Sequence, residues 1–206
     1  MKQFHEWLFQ INVPEGKDAH YALVQWLRRN NLGELFSESY KAITYVVYQN
    51  ANGYSLIGKS CVPIILPNVE HHHFELDLEQ PVKVAVQLST KRKVRPPTLL
   101  HEVQSSTRTK TMIRLMTDAE KQDRIQGIID DLGFDPDQVG FDILEGIGIP
   151  VLHKRQKLFI VEPTMNVVIH GQVTDVGKFE KAWCYGVGNK RVYGLGCVRV
   201  LQDAKL

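Results

Sequence analysis

Eleven residues near the end of the chain, GVGNKRVYGLG, limit the fold more than any others. They run from Gly186 to Gly196, two Gly-x-Gly units five residues apart with Lys190 and Arg191 between them. Their place is decisive. Asp175 is a predicted N-cap for VGKFEKAWCY, a short helix that runs straight into Gly186, and CVRVLQ (197–202) follows as a last strand. A dinucleotide fingerprint needs G-x-G-x-x-G after a strand and before a helix, and here the third glycine would fall on Arg191. A Walker loop is absent, and EGIGIP is blocked from opening a helix by Pro150. What remains is a helix-to-strand turn whose glycines permit positive φ and whose amides make an anion nest, beside two cations.

The rest of the chain supplies the setting. Phe4 to Val13 alternates as a strand, closed by Pro14 and Gly16. Asp18 caps a predicted helix reaching about Asn30, with Ala19, Ala22, Leu23, Trp26 and Leu27 on one face. AITYVVYQ (42–49) and YSLIGKS (54–60) flank a hairpin turn; HFELDL (73–78) and VKVAVQLS (82–89) are two further strands. KRKVRPPT (91–98) reads as a basic linker, because its two prolines bar a helix. TDAEKQDRIQGIIDDLGF (117–134) is the clearest helix, and FDILEGIGI, KLFIVEPTM and NVVIHGQVT (141–174) are strands. This order predicts an α+β protein of two tandem ferredoxin-like (βαββαβ-type) units: residues 1–92, a linker at 93–110, and residues 111–206 carrying the glycine loop. In the first unit the second helix is shortened or replaced.

No segment approaches 18 consecutive apolar residues, and the mixed N-terminus is not a signal peptide. Three cysteines without metal-ligand spacing read as reduced thiols, which points to a cytoplasmic protein. Net charge is only +2, but it is segregated. Lys91, Arg92, Lys93 and Arg95 form one cluster; Arg108, Lys110 and Arg114 a second; Lys154 and Arg155 a third; Lys190 and Arg191 a fourth. Acids gather instead in EHHHFELDLE and IIDDLGFDPD. Such segregation is the footprint of a protein that lays a polyanion on one face.

GVGNKRVYGLGCVRV closely resembles the C-terminal glycine-rich loop of the repeat-associated RNA-binding superfamily of CRISPR systems, and within it the CRISPR-RNA-processing endoribonucleases serving Cascade-type complexes. The resemblance implies two ferredoxin-like units, a CRISPR repeat RNA hairpin as ligand, other subunits of a Cascade-like effector complex as partners, and no cofactor. It implies cleavage without metal: a 2′-OH attacks the adjacent phosphate and leaves a 2′,3′-cyclic phosphate and a 5′-OH. It also places the active histidine early on the first helix, which is His20 here, while Gly186, Gly188, Gly194 and Gly196 would hold the RNA strand near the cut. Histidine suits proton transfer near neutral pH.

Lys17, one turn earlier, is the second candidate, a cation for the phosphorane; some members carry a tyrosine near this place, and Tyr21 is a weaker substitute. His5 and His153 are reserves for the active site, and His101 for RNA contact. The triplet His71–His73 invites a metal, but in a strand His71 and His73 share a face that His72 opposes. Two imidazoles fall short of the three or four ligands zinc wants, so an exposed edge strand is the simpler reading. Two other functions compete: a non-catalytic RNA-binding subunit of the same complex, and a small-molecule enzyme holding a metabolite phosphate.

Overall fold

The computed structural model describes residues 1–37, 40–94, 112–153 and 158–201. The first unit contains β1 (Lys2–Asn12), α1 (Ala19–Arg29), β2 (Ile43–Asn50), β3 (Gly53–Ser60) and β4 (Val69–Leu76). Its sheet has the order β2-β3-β1-β4 with antiparallel neighbours. α1 starts where Asp18 accepts the Tyr21 amide at 2.8 Å and buries Ala19, Ala22, Leu23 and Leu27, the expected stripe, while Trp26 stacks on Phe9 of β1 with ring centres 4.2 Å apart. No helix joins β3 to β4; residues 61–68 cross as a loop, the replacement that the sequence led us to expect.

The second unit opens with β5 (Val82–Ser89) and continues through β6 (Lys91–Val94), β7 (Met112–Leu115), α2 (Asp118–Asp131), β8 (Phe134–Glu145), β9 (Ile149–His153), β10 (Leu158–Glu162), β11 (Thr164–Val173), α3 (Val176–Tyr185) and β12 (Val198–Val200). Its main sheet has the order β12-β5-β11-β8. Counted from its own first strand, each unit therefore shows the same 4-1-3-2 order, the ferredoxin-like arrangement. Helices begin as their caps dictate. Thr117 and Glu120 form a reciprocal capping box on α2, and Asp175 accepts the Lys178 amide on α3.

Two expectations change. β5 pairs with β11 and β12, not with the first sheet, so the change of sheet falls at 77–81 rather than at residue 92. The burial of β5 explains this: all but one of its residues are buried, as befits a central strand, whereas an end strand of the first sheet would face water on one side. The basic stretch is also not a linker from its start. β6 pairs with β7 in a hairpin stem rising from the second sheet, Lys91 opposite Leu115 and Arg92 opposite Arg114. Its alternation was hidden because both faces of the ribbon are largely exposed. The sequence also left β9 out, and β8 starts seven residues before the expected Phe141.

The units are sewn together by side chains from both. Phe4 of β1 meets Phe179 and Trp183 of α3 edge-on at 5.9 and 5.0 Å between ring centres. Lys59 of β3, 4% exposed, donates to the Val198 carbonyl at 2.7 Å and lies 4.4 Å over the Trp183 ring. Cys61 donates its thiol proton to Cys184 across the same seam, which pushes the Cys61 thiol up and the Cys184 thiol down; all three cysteines are free.

Candidate nucleic-acid interface

The glycine loop folds back on itself, and all four of its Gly-x-Gly glycines have positive φ: 73° at Gly186, 68° at Gly188, 81° at Gly194 and 79° at Gly196. Gly186 ends α3 by donating to Ala182 at 2.8 Å, Val187 donates to Gly196 at 2.8 Å, and Gly196 donates to Gln87 of β5 at 2.8 Å. The Tyr193 and Gly194 amides close a short 3₁₀ turn on Lys190 and Arg191. Those five amides are already bonded, so they make no anion nest. The glycines serve close approach instead: a Cβ on Gly186 would stand 2.7 Å from the Gly196 oxygen, and one on Gly196 would stand 1.9 Å from the Val187 oxygen.

The loop is tied to the first unit as well. Tyr45 of β2, 1% exposed, donates its hydroxyl to the Val192 carbonyl at 2.5 Å, and burial holds that phenol well above its ordinary pKa, so it stays a donor. Tyr45→Phe is expected to remove about 1 kcal/mol of stability and loosen the loop. A thermal melt and proteolysis within 186–196 would check both; unchanged protection would mean that the hydroxyl does not hold the loop.

Lys190 and Arg191 were expected to face a phosphate backbone with free charge. Lys190, itself in the left-handed region at φ 63°, donates to Ser89 Oγ at 3.0 Å and to the carboxylate of Glu162, which is 4% exposed. Lys91 donates to the Val161 carbonyl and reaches the same carboxylate at 3.8 Å. Glu162 thus holds the loop tip down on β5, and Lys190→Ala would disturb the loop rather than only remove charge. Arg191 donates to the Tyr185 carbonyl at 2.9 Å, at the C-terminus of α3.

Beside that tip lies a groove of about 620 Å³ between the β6–β7 hairpin, α2 and Asn189–Lys190. Lys91, Arg92, Lys93, Arg124 and Lys190 line it, with Glu120 and Asp123. Sequence reading missed Arg124, whose Nε is buried without a hydrogen-bond partner; a cation at one turn's spacing after Glu120 was the available signal. Arg92 and Arg114 are not free. Arg92 bonds Glu120 at 3.0 Å, and Arg114 grips it with two bonds of 2.6 and 2.7 Å. The Arg114 guanidinium, and then the Thr117 amide, hold the Glu120 carboxyl at about 2. Because that pKa is depressed, the link is complete above pH 4.5 and weakens only as pH falls through about 2.

Acidification to pH 5 will therefore not release the arginines, but Glu120→Gln will, while keeping a side chain that serves the capping box. That variant should bind a polyanion with a salt dependence steeper by roughly one to two units, one for each arginine freed to meet a phosphate. An unchanged slope would place both arginines outside the interface. A second cleft of about 440 Å³ on the other side of the loop carries Lys178, Lys181 and Arg191.

His20 is the second residue of α1, half-buried, with its ring centre 5.8 Å from Phe36. Phe36 in turn meets Tyr45 at 6.5 Å, and α1 packs against the 3₁₀ turn of the glycine loop. The histidine thus stands in the layer that supports the loop, but it lines neither groove. Lys17 precedes the cap, exposed, with its ammonium 5.0 Å over the Tyr21 ring. Arg95, Arg108, Lys110, Lys154 and Arg155, like His101, lie outside the described residues. Among the described residues no group of three or more His, Cys, Asp or Glu side chains is placed to hold a metal ion, and no helix is long and apolar enough to cross a membrane.

No family model and no curated protein matches the chain. Solved structures do. Cas6e from Escherichia coli K-12 superposes with a TM-score of 0.60 at 14% identity, over 94% of this chain and 98% of that one. Thermus thermophilus Cse3 bound to an RNA representing a pre-cleavage complex gives 0.62 at 14% identity, over 97% and 100%. A chain of a CRISPR RNA-guided surveillance complex gives 0.59 at 16% identity, over 94% and 98%. The protein is thus an α+β chain of two ferredoxin-like units, and its fold is the one found in the CRISPR-associated protein Cas6e and the CRISPR endoribonuclease Cse3.

Proposed function

We propose that this chain is a CRISPR-RNA-processing endoribonuclease. It binds the repeat hairpin, cuts precursor RNA by 2′-OH attack without a metal ion, and stays on the mature RNA in a Cascade-like effector complex. The observation that carries this reading is a histidine at the second position of α1, on the helix that supports the glycine loop, in a fold shared over nearly its whole length with RNA-bound Cse3. His20 moves the proton. Lys17 meets the extra negative charge on phosphorus, leaving the Tyr21 face to do so. The hairpin stem lies along the groove walled by the β6–β7 ribbon, with Lys93 and Arg124 as its cations that are in no ion pair among the described residues.

The test is a labelled repeat hairpin titrated with pure protein across a salt series. Lys93→Ala with Arg124→Ala should lower the salt slope by roughly 1.4–1.8 units, about 0.7–0.9 per phosphate contact. Salt-insensitive binding would sink the groove assignment. Binding without cleavage would favour the non-catalytic RNA-binding subunit. No hairpin binding at all would return the small-molecule reading.

A further inference from the structure

Asp18 does more than start α1. Its side chain is 6% exposed, and both carboxylate oxygens accept a backbone amide. Oδ1 takes the Tyr21 amide at 2.8 Å, which caps the helix. Oδ2 takes the Leu152 amide at 2.9 Å, and Leu152 lies on β9 of the second unit. Packing runs the same way. Ile149 and Val151 of β9 are buried with Ala19, Ala22 and Leu23 of α1, in the core that α1 shares with β2 and β3, and Ile160 of β10 packs against them. Tyr54 of β3 donates its hydroxyl to the Gly148 carbonyl at 3.2 Å, just before β9. The β9–β10 ribbon thus belongs to the second unit by sequence and to the first by packing.

The ribbon has a second fastening. Glu162 ends β10, opposite Ile149, and its buried carboxylate accepts a hydrogen bond from Lys190 at the tip of the glycine loop. Leu152 stands opposite Phe159, so the two fastenings lie three residues apart along β10, about 10 Å at the usual strand rise. We propose that Asp18 is a positioning residue for the cleavage reaction: through the Leu152 amide it fastens the His20 helix to the β9–β10 ribbon, and the same ribbon fastens the glycine-loop tip through Glu162 and Lys190, so that one ribbon sets the distance between the proton-transfer histidine and the loop. This rests on the roles proposed above for His20 and the loop. Tyr45, which holds the loop at Val192, joins the same assembly: burial first, and then the Asp18 carboxylate, keep its phenol protonated. A carboxylate suits the task because it accepts from two amides at once. Asparagine has one oxygen and two N–H donors, and serine one oxygen on a shorter chain. Both are good N-caps, so α1 survives either exchange, but neither can hold Tyr21 and Leu152 together.

The test uses full-length Asp18→Asn and Asp18→Ser, assayed below their melting temperatures. Single-turnover cleavage of a labelled repeat hairpin is measured at saturating protein, and hairpin affinity separately. A displacement of about 1 Å can cost up to about 10²-fold in rate, so both variants should cut about 10–100-fold more slowly while binding as the wild type does. The same substitutions are then made in His20→Ala. There they should cost less than about twofold more, because Asp18 acts through His20; a merely structural residue would slow both backgrounds alike. Hydrogen exchange should show the Leu152 amide losing protection in both variants while the α1 amides keep theirs. Wild-type cleavage in both variants overturns the inference. So does equal slowing with and without His20, weakened binding at an unchanged rate, or a Leu152 amide that stays protected. A wild-type protein that binds the hairpin but never cuts it is a different failure: it removes the catalytic reading of His20, and this inference with it.

Discussion

His20→Ala is expected to slow cleavage of a repeat hairpin by about 10²–10⁴-fold, the usual size of one acid–base contribution. Binding should hardly change, because phosphate contacts dominate affinity and the groove that supplies them lies apart from α1. The core of α1 should stay in place: its stripe is Ala19, Ala22, Leu23 and Leu27, and the Asp18 cap is untouched. Single-turnover rates measured with saturating enzyme separate the two effects. A variant that cuts at the wild-type rate would remove His20 from the chemistry and move attention to His5 or His153.

The second large effect is expected at Gly196. At φ 79° an alanine there is strained by about 1–3 kcal/mol, and its Cβ would press on the Val187 oxygen, which is backbone and cannot swing aside. The Val187–Gly196 hydrogen bond that folds the loop back on itself should break, and with it the seat of the Lys190–Glu162 pair. We expect a lower melting temperature together with lost cleavage. Gly194→Ala should act through other atoms, since its Cβ would stand 2.7 Å from the Tyr45 ring and 2.9 Å from Val47. Circular dichroism and RNA cleavage measured on both variants check this. A folded Gly196→Ala protein with wild-type cleavage would reduce the loop to a turn without a role in the reaction.

Local rules made much of this fold legible. Asp18, Thr117 and Asp175 each begin a helix within a residue of the expected place, because a capping side chain acts only on the next turn. The hairpin between Asn50 and Gly53 followed from its turn residues for the same reason. What stayed hidden was long-range. VKVAVQLS reads as a strand from any angle, but its partners, residues 164–171 and 198–200, lie more than seventy residues away, and nothing local says which sheet it joins. The same holds for charge. Lys190, Arg92 and Arg114 are cations in the sequence, yet Glu162 and Glu120 meet them only after folding. The four glycines were read correctly as positive-φ positions, but the amides of Gly186, Gly194 and Gly196 are bonded rather than free.

The most direct test of the central claim is the chemistry of the cut itself. Wild-type protein and His20→Ala are incubated with a labelled repeat hairpin in excess EDTA, and the product ends are mapped. The account predicts one cut by the wild type at an undiminished rate, a 5′-OH on the downstream piece, and a 2′,3′-cyclic phosphate on the upstream piece that blocks ligation until it is opened. His20→Ala should leave the hairpin bound and nearly intact. A hairpin that the wild type binds but cuts only when Mg²⁺ or Zn²⁺ is restored would contradict the mechanism.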